Sequence, residues 1–148
     1  MNRFAVYLVP GFLLARAGDP ALLPSLLDAE AVAPVLAWTS PHDVLEFLLS
    51  GWTWTDQGGP PNERVFVMGV DDLHEVDVED LDERAHGIAL QHAVDSHELE
   101  KALEADTITE HADDVLGALV IAVHTLRNAV VTASENGAAL VIVITRKP

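Results

Sequence analysis

Seven histidines are the side chains of this sequence most suited to chemistry, because imidazole can both transfer protons and bind metal ions. His86, His92 and His97 lie close together in sequence, next to an acidic segment at residues 71–83. A strand around His92 and a helix starting at His97 could bring these two side chains together with Asp95 to bind a divalent metal. Spacings of six and five residues match no established ligand pattern, so we predict neither a metal site nor a cofactor.

His124 and Arg127 are three residues apart in a predicted helix and therefore share one of its faces. Such a pair can orient an anionic ligand, with the guanidinium making two parallel hydrogen bonds. The alternative that we favour places both residues at the edge of the buried face, with the guanidinium in water. His42, His92, His124 and Arg127 are the candidate catalytic residues, with histidine as the acid–base group.

The three tryptophans lie within residues 38–54, in the same part of the sequence as His42. Trp52 and Trp54 lie in a segment, residues 52–62, whose two glycines and two prolines predict a loop. Aromatic side chains on such a loop are typical of partner recognition, although they also line small-molecule pockets or form small cores that anchor a loop. Trp38, Trp52 and Trp54 are therefore candidate residues for binding a partner or a ligand.

The chain is strongly acidic, with 24 Asp and Glu residues against eight Lys and Arg residues and a formal net charge of −16. Residues 65–114 alone carry sixteen acidic and two basic residues. Phosphate binding needs clustered basic residues, and an anionic membrane surface would repel this chain, so we expect neither a nucleic acid nor a membrane as partner. A basic protein is the partner that this negative charge would attract. The candidate residues for contact with it are Asp71, Asp72, Glu75 and Asp77. Alternatively, the negative charge serves to keep the protein soluble.

Several classes of site are absent from the sequence. The chain has no cysteine, which excludes disulfides, thiolate metal sites and cysteine nucleophiles. It contains no P-loop, no G-x-G-x-x-G and no G-x-S-x-G motif. His97 and Glu98 begin like the H-E-x-x-H motif of zinc proteases, but Lys101 stands in place of the second histidine. Whether the protein is an enzyme therefore remains open.

The elements that position these residues predict a single α+β domain over residues 1–148. We expect a small mixed sheet that includes the N- and C-terminal strands, packed by several short helices and by one long helix in the C-terminal half. The predicted strands are Phe4–Val9, Val65–Met68, Ile88–Val94 and Ala138–Thr145, the last buried on both faces. The predicted helices are 21–28, 41–49 and 97–105, the last after a capping box that begins at Asp95. A long helix is predicted from a capping box at Thr107 to about Glu135, where Asn136-Gly137 is a helix stop.

The N-terminus resembles a signal peptide in part, because Arg3 precedes an apolar run that ends near Ala15. Pro10 and Gly11 interrupt this run, and Arg16 lies inside the only candidate cleavage site. No uninterrupted apolar stretch approaches the ~20 residues of a membrane helix. We therefore expect a cytoplasmic protein, and the oligomeric state stays open.

The C-terminal part of the sequence resembles a known family. The blocks Leu126–Ala133 and Asn136–Ile142 are similar to the last helix, turn and strand of the YfbM-like family, small bacterial domains of unknown function. The pairs Val9-Pro10 and Asp19-Pro20, and the segment from Asp43 to Gly51, are compatible with it. Asn128-Ala129 departs from the aromatic residue usual in that helix. The resemblance implies an α+β fold and no established activity, so it transfers no catalytic residue.

Two functions follow from these observations. We favour a cytoplasmic protein-binding module, similar to immunity or inhibitor proteins, in which acidic charge speeds association with a basic partner. The alternative is a small-molecule-binding protein or small enzyme with a pocket lined by tryptophan and histidine. That alternative requires His42, His92 or His124 to converge with Arg127 or a carboxylate in one pocket.

Overall fold

The computed structural model describes residues 2–17, 22–49, 55–58, 63–73, 79–105 and 113–146. Their strands are β1 (Asn2–Pro10), β2 (Leu36–Ser40), β3 (Thr55–Gly58), β4 (Glu63–Met68) and β5 (Ala138–Arg146). Their helices are α1 (Gly11–Ala17), α2 (Leu23–Ala29), α3 (Val44–Leu49), α4 (Val70–Leu73), α5 (Glu79–Gln91), α6 (Ser96–Glu104) and α7 (Val115–Asn136). The strands form one sheet in the order β2-β1-β5-β4-β3, which confirms the predicted α+β fold with both terminal strands in the sheet.

The sheet is antiparallel, so the prediction of a mixed sheet was wrong in this respect. Every strand pairing among the described residues is antiparallel. β1 and β5 pair along their whole length, from Asn2 opposite Arg146 to Pro10 opposite Ala138. β1 and β4 point the same way, but β5 lies between them and runs opposite to both, so they form no parallel pair.

The central strand β5 is buried on both faces, as its aliphatic sequence predicted. Because side chains alternate along a strand, Leu140 and Ile142 face the larger hydrophobic core, which contains α7. Val141 and Val143 face a smaller core on the other side of the sheet. That second core is closed by side chains of α1 and α2, including Leu13, Leu23 and Leu27.

Helix α7 is the centre of the larger core. Every residue from Ala118 to Leu126 is buried, because β1 and β5 cover one side of the helix while α3, α4, α5 and α6 pack around the others. By length and composition alone α7 could cross a membrane, although the absence of a long uninterrupted apolar stretch in the sequence had predicted no such span. Most of it is buried inside the fold, as expected of the core helix of a globular protein.

The ends of α7 follow from local chemistry. The carboxylate of Asp114 accepts a hydrogen bond from the Gly117 N–H at 2.6 Å and so caps the first turn. Gly137 ends the helix with a φ of 62°, a left-handed conformation that glycine adopts at little cost, and the predicted stop is confirmed. The capping box predicted at Thr107 lies outside the described residues, and the described helix begins only at Val115.

The predicted strand Ile88–Val94 was wrong, because most of this segment belongs to helix α5. The buried side chains Leu81, Ala85, Ile88 and Ala89 follow helical spacing. Glu79, Asp80 and Asp82 lie in the first turn, where negative charge is favoured by the helix dipole. The aliphatic residues after position 88 suggested a strand only when they were considered without this acidic start.

The other predicted elements lie close to their predicted positions, and four elements were not predicted: helices α1 and α4 and strands β2 and β3. α2, α3 and α6 each begin within three residues of the predicted helices, and β1 and β4 extend the predicted strands slightly. Strand β2 was not predicted, although its alternating burial is typical of an edge strand. Strand β3 lies within the predicted loop at residues 52–62 and pairs with β4.

Candidate functional site

A polar depression of about 480 Å³ lies between α5, α6 and α7. Its lining contains three carboxylates, one imidazole and one guanidinium, contributed by Asp82, His86, Glu100, Glu104 and Arg127, together with Leu103. We call it the α5–α6 depression. A concave site of this size, lined mainly by negative charge, is suited to a positively charged group.

Helical spacing places these side chains together. Asp82 and His86 are four residues apart on α5, and Glu100 and Glu104 are four residues apart on α6, so each pair shares one helix face. Both helices are anchored by other faces, which bury Leu81 and Ala85 on α5 and Leu99 on α6. The acidic groups are therefore presented by two packed helices rather than by a loop.

The start of α6 is fixed by the predicted cap. The carboxylate of Asp95 accepts a hydrogen bond from the backbone N–H of His97 at 2.9 Å. This bond occupies one of the three side chains considered for a metal site with His92 and His97. No group of three or more His, Asp or Glu side chains in the described part of the chain is arranged to hold a metal ion.

Arg127 forms an ion pair with Asp82 across α7 and α5. The two side chains retain 25% and 42% of their exposure, so the pair lies at the wall of the depression rather than in the core. The guanidinium is thus directed at a carboxylate of the protein itself. It does not form the anion-binding pair with His124 that was one interpretation of the sequence.

His124 lies in the core instead. It retains 8% of its exposure, and its Nε2 is buried without a hydrogen-bond partner among the described residues. The histidine that lies with Arg127 in the α5–α6 depression is His86, which the sequence had suggested only as part of a metal cluster. The sequence did not predict this arrangement, because His86 and Arg127 are far apart in the chain and lie on different helices.

His42 and His92 are brought together by the fold. Their ring centroids lie 6.3 Å apart in an edge arrangement. His42 follows β2, where its backbone N–H donates a hydrogen bond to Ser40 Oγ at 3.2 Å, and His92 follows the last turn of α5. Two imidazoles at this separation offer two ligands to a metal, fewer than the three protein ligands usual at catalytic zinc sites.

Trp38 has a packing role. Its ring stacks on Phe4 with centroids 5.1 Å apart, it is half-buried, and its Nε1 is buried without a partner among the described residues. Trp52 and Trp54 lie outside the described residues. The predicted recognition surface formed by the three tryptophans therefore stays a prediction.

The acidic segment at residues 71–83 is only partly described. Asp71 is exposed on α4, and Asp72 belongs to the same helix. Glu75 and Asp77 lie outside the described residues. Leu73 and Leu81 are buried, so at these positions the segment packs its apolar residues against the body of the protein.

The acidic surface extends beyond the predicted segment onto α6. The exposed carboxylates on α5 and α6 are those of Glu79, Asp80, Glu83, Glu98, Glu100 and Glu104. Arg84 and Lys101 are the basic residues within these helices. The contribution of α6 could have been found in the sequence, since its acids recur at helical spacing after the predicted cap at Asp95.

The chain matches no protein-family model, no curated protein and no solved structure. The resemblance to the YfbM-like family therefore remains a prediction from the sequence.

Proposed function

We propose that this protein is an acidic protein-binding module that engages a basic partner through the α5–α6 depression, in the manner of immunity or inhibitor proteins. The observation that carries the proposal is the lining of the depression, in which three carboxylates surround a single guanidinium. A lysine or arginine side chain of a partner is the protein group that complements this charge.

Two of the three carboxylates are available to such a partner. The carboxylate of Asp82 already forms an ion pair with Arg127. Glu100 and Glu104 are exposed and form no ion pair with any other described residue. A partner ammonium or guanidinium between them would gain two charge-assisted hydrogen bonds without breaking an existing pair.

The overall charge supports the same function at longer range. A net charge of −16 attracts a basic protein and speeds the encounter, an effect that added salt weakens. The exposed acids Glu79, Asp80 and Glu83 lie on α5, the helix that also carries Asp82 and His86, and add to the negative surface. Steering by this surface and docking in the depression would then act on the same partner.

The alternative function has less structural support. A small enzyme of the predicted kind needs His42, His92 or His124 to converge with Arg127 in one pocket. The depression contains His86 in their place, while His42 and His92 contact each other and His124 is in the core. We therefore favour protein binding.

The proposal is tested by affinity capture with two matched variants. The doubly substituted Glu100→Gln/Glu104→Gln protein removes two charges from the depression. The control Asp28→Asn/Glu135→Gln removes two charges from exposed positions that do not line it. From a lysate of the producing cell, the unmodified protein and the control should retain the same basic protein, and the first variant should lose it. Equal retention by both variants would contradict the proposal.

A further inference from the structure

His86 is the histidine that lines the α5–α6 depression. It is half-buried on α5, and helical spacing places Asp82 and Glu83 one turn before it on the same helix. Histidine is the side-chain type whose charge ordinarily changes between pH 5 and 8. The charge that a partner meets in the depression can therefore depend on pH.

The other helices that pack on α5 surround His86 with charges of both signs. α6 contributes the carboxylates of Glu100 and Glu104 to the depression, and α7 contributes the guanidinium of Arg127. Helix α3 also packs on α5, but its Glu46 forms ion pairs with arginines of β4 and β5 and does not line the depression. The groups that respond most directly to a proton on His86 are therefore those of α6 and α7.

Protonation of His86 would add a second positive charge to the depression, beside that of the guanidinium. Because Arg127 is already paired with Asp82, the imidazolium would be attracted to Glu100 and Glu104, which form no ion pair with any other described residue. A basic partner needs the same two carboxylates. A proton on His86 and a cation of the partner therefore compete for one region of negative charge.

We propose that protonation of His86 regulates the α5–α6 depression, so that a basic partner is bound at neutral pH and released on acidification. This inference rests on the proposed function and adds its regulation. The direction follows from linkage, since a bound cation disfavours the charged imidazole and a charged imidazole disfavours the bound cation by the same factor. The complex thus holds fewer protons than the free protein, and its affinity falls as the pH falls.

The test uses tetralysine with an acetylated N-terminus and an amidated C-terminus as the probe. Lysine ordinarily titrates at about pH 10.4, so the probe keeps its charge between pH 5.5 and 8. Binding to the full chain is followed by ¹³C NMR titration at 150 mM NaCl, where a Debye length of about 8 Å limits the influence of distant histidines. Affinity should fall about three- to tenfold from pH 8 to pH 5.5, the effect of one unit charge several ångströms away at a partly exposed site.

Two matched histidine variants assign the effect to one side chain. His86→Gln should lose most of this pH dependence, whatever its affinity at pH 8. His92→Gln, at an exposed position outside the lining of the depression, should keep it. In the unmodified protein, the titration midpoint of the His86 imidazole signal should move to lower pH when the probe is added, a measurement that needs no substitution.

The outcomes separate this inference from the proposed function. Absence of probe binding at pH 8, or binding that Glu100→Gln/Glu104→Gln leaves unchanged, would contradict docking in the depression and this inference with it. Where binding depends on these carboxylates, a pH dependence that survives His86→Gln, or a His86 midpoint that the probe does not move, would overturn the regulation alone.

Discussion

Arg127 on α7 forms an ion pair with Asp82 on α5, so among the described residues the guanidinium that lines the α5–α6 depression is paired with one of its carboxylates. This pair leaves Glu100 and Glu104 as the carboxylates available to a partner. It also links the central helix to the surface helix that carries much of the negative charge. Arg127 therefore has opposite effects on folding and on the proposed binding.

Arg127→Gln should lower the free energy of unfolding but strengthen binding of a basic partner. The stability loss should be about 0.5–1 kcal/mol, because the pair is partly exposed to solvent and screened by it. Binding should tighten because the substitution removes the positive charge from the depression. Urea denaturation and titration with the partner measure the two effects. Weaker binding would show that Arg127 itself contacts the partner, contrary to this account.

Asp114→Ala should lower the free energy of unfolding by about 1 kcal/mol, since it removes the N-terminal cap of α7. Asp113→Ala is the matched control, because it removes the same charge from the adjacent exposed position, whose side chain makes no hydrogen bond among the described residues. Denaturant unfolding of the two variants separates capping from charge. Equal losses would mean that the cap contributes nothing.

Substitution of glycine for either of two alanines should stabilise the protein. Ala31 and Ala93 end α2 and α5 in left-handed conformations, with φ values of 55° and 56°. Such a conformation costs a residue with a Cβ roughly 1 kcal/mol relative to glycine. Ala93→Gly and Ala31→Gly should each raise the unfolding free energy by up to about 1 kcal/mol, and Gly137→Ala should lower it by a similar amount. Thermal unfolding in which all three changes had the same sign would contradict this explanation.

Trp38→Phe should change stability little, whereas Trp38→Ala should be clearly destabilising. Phenylalanine keeps the stacking on Phe4 and removes the buried Nε1 that has no partner among the described residues. Alanine loses the aromatic contact itself and should cost about 2 kcal/mol or more at this half-buried position. Chemical denaturation of both variants distinguishes a packing role from a hydrogen-bonding one. A large loss in the phenylalanine variant would indicate that Nε1 has a partner.

The parts of the fold that were predictable are those set by local sequence. The glycine at position 137 and the aliphatic run after it predicted the end of α7 and the buried strand β5, because backbone conformation and side-chain periodicity are local properties. Asp95 predicted the start of α6 for the same reason. In contrast, Ile88 lies in a helix although a strand was predicted to begin there, since the acidic turn before it and the packing of α5 on α7 determine the outcome.

The sites were less predictable because they depend on contacts between distant segments. His92 was compared with its sequence neighbours, but the fold places it next to His42. Arg127 was considered with His124, three residues away, but it pairs with Asp82 on another helix.

The most direct test of the central claim is the salt dependence of binding between this protein and the basic protein recovered by capture. The dissociation constant should rise at least about tenfold between 50 and 300 mM NaCl, because salt screens the electrostatic attraction between the acidic surface and the basic partner. Glu100→Gln/Glu104→Gln should bind more weakly at low salt and depend less on salt, while Asp28→Asn/Glu135→Gln should behave like the unmodified protein. Binding that is independent of salt, or equally affected by both double substitutions, would contradict recognition through the α5–α6 depression.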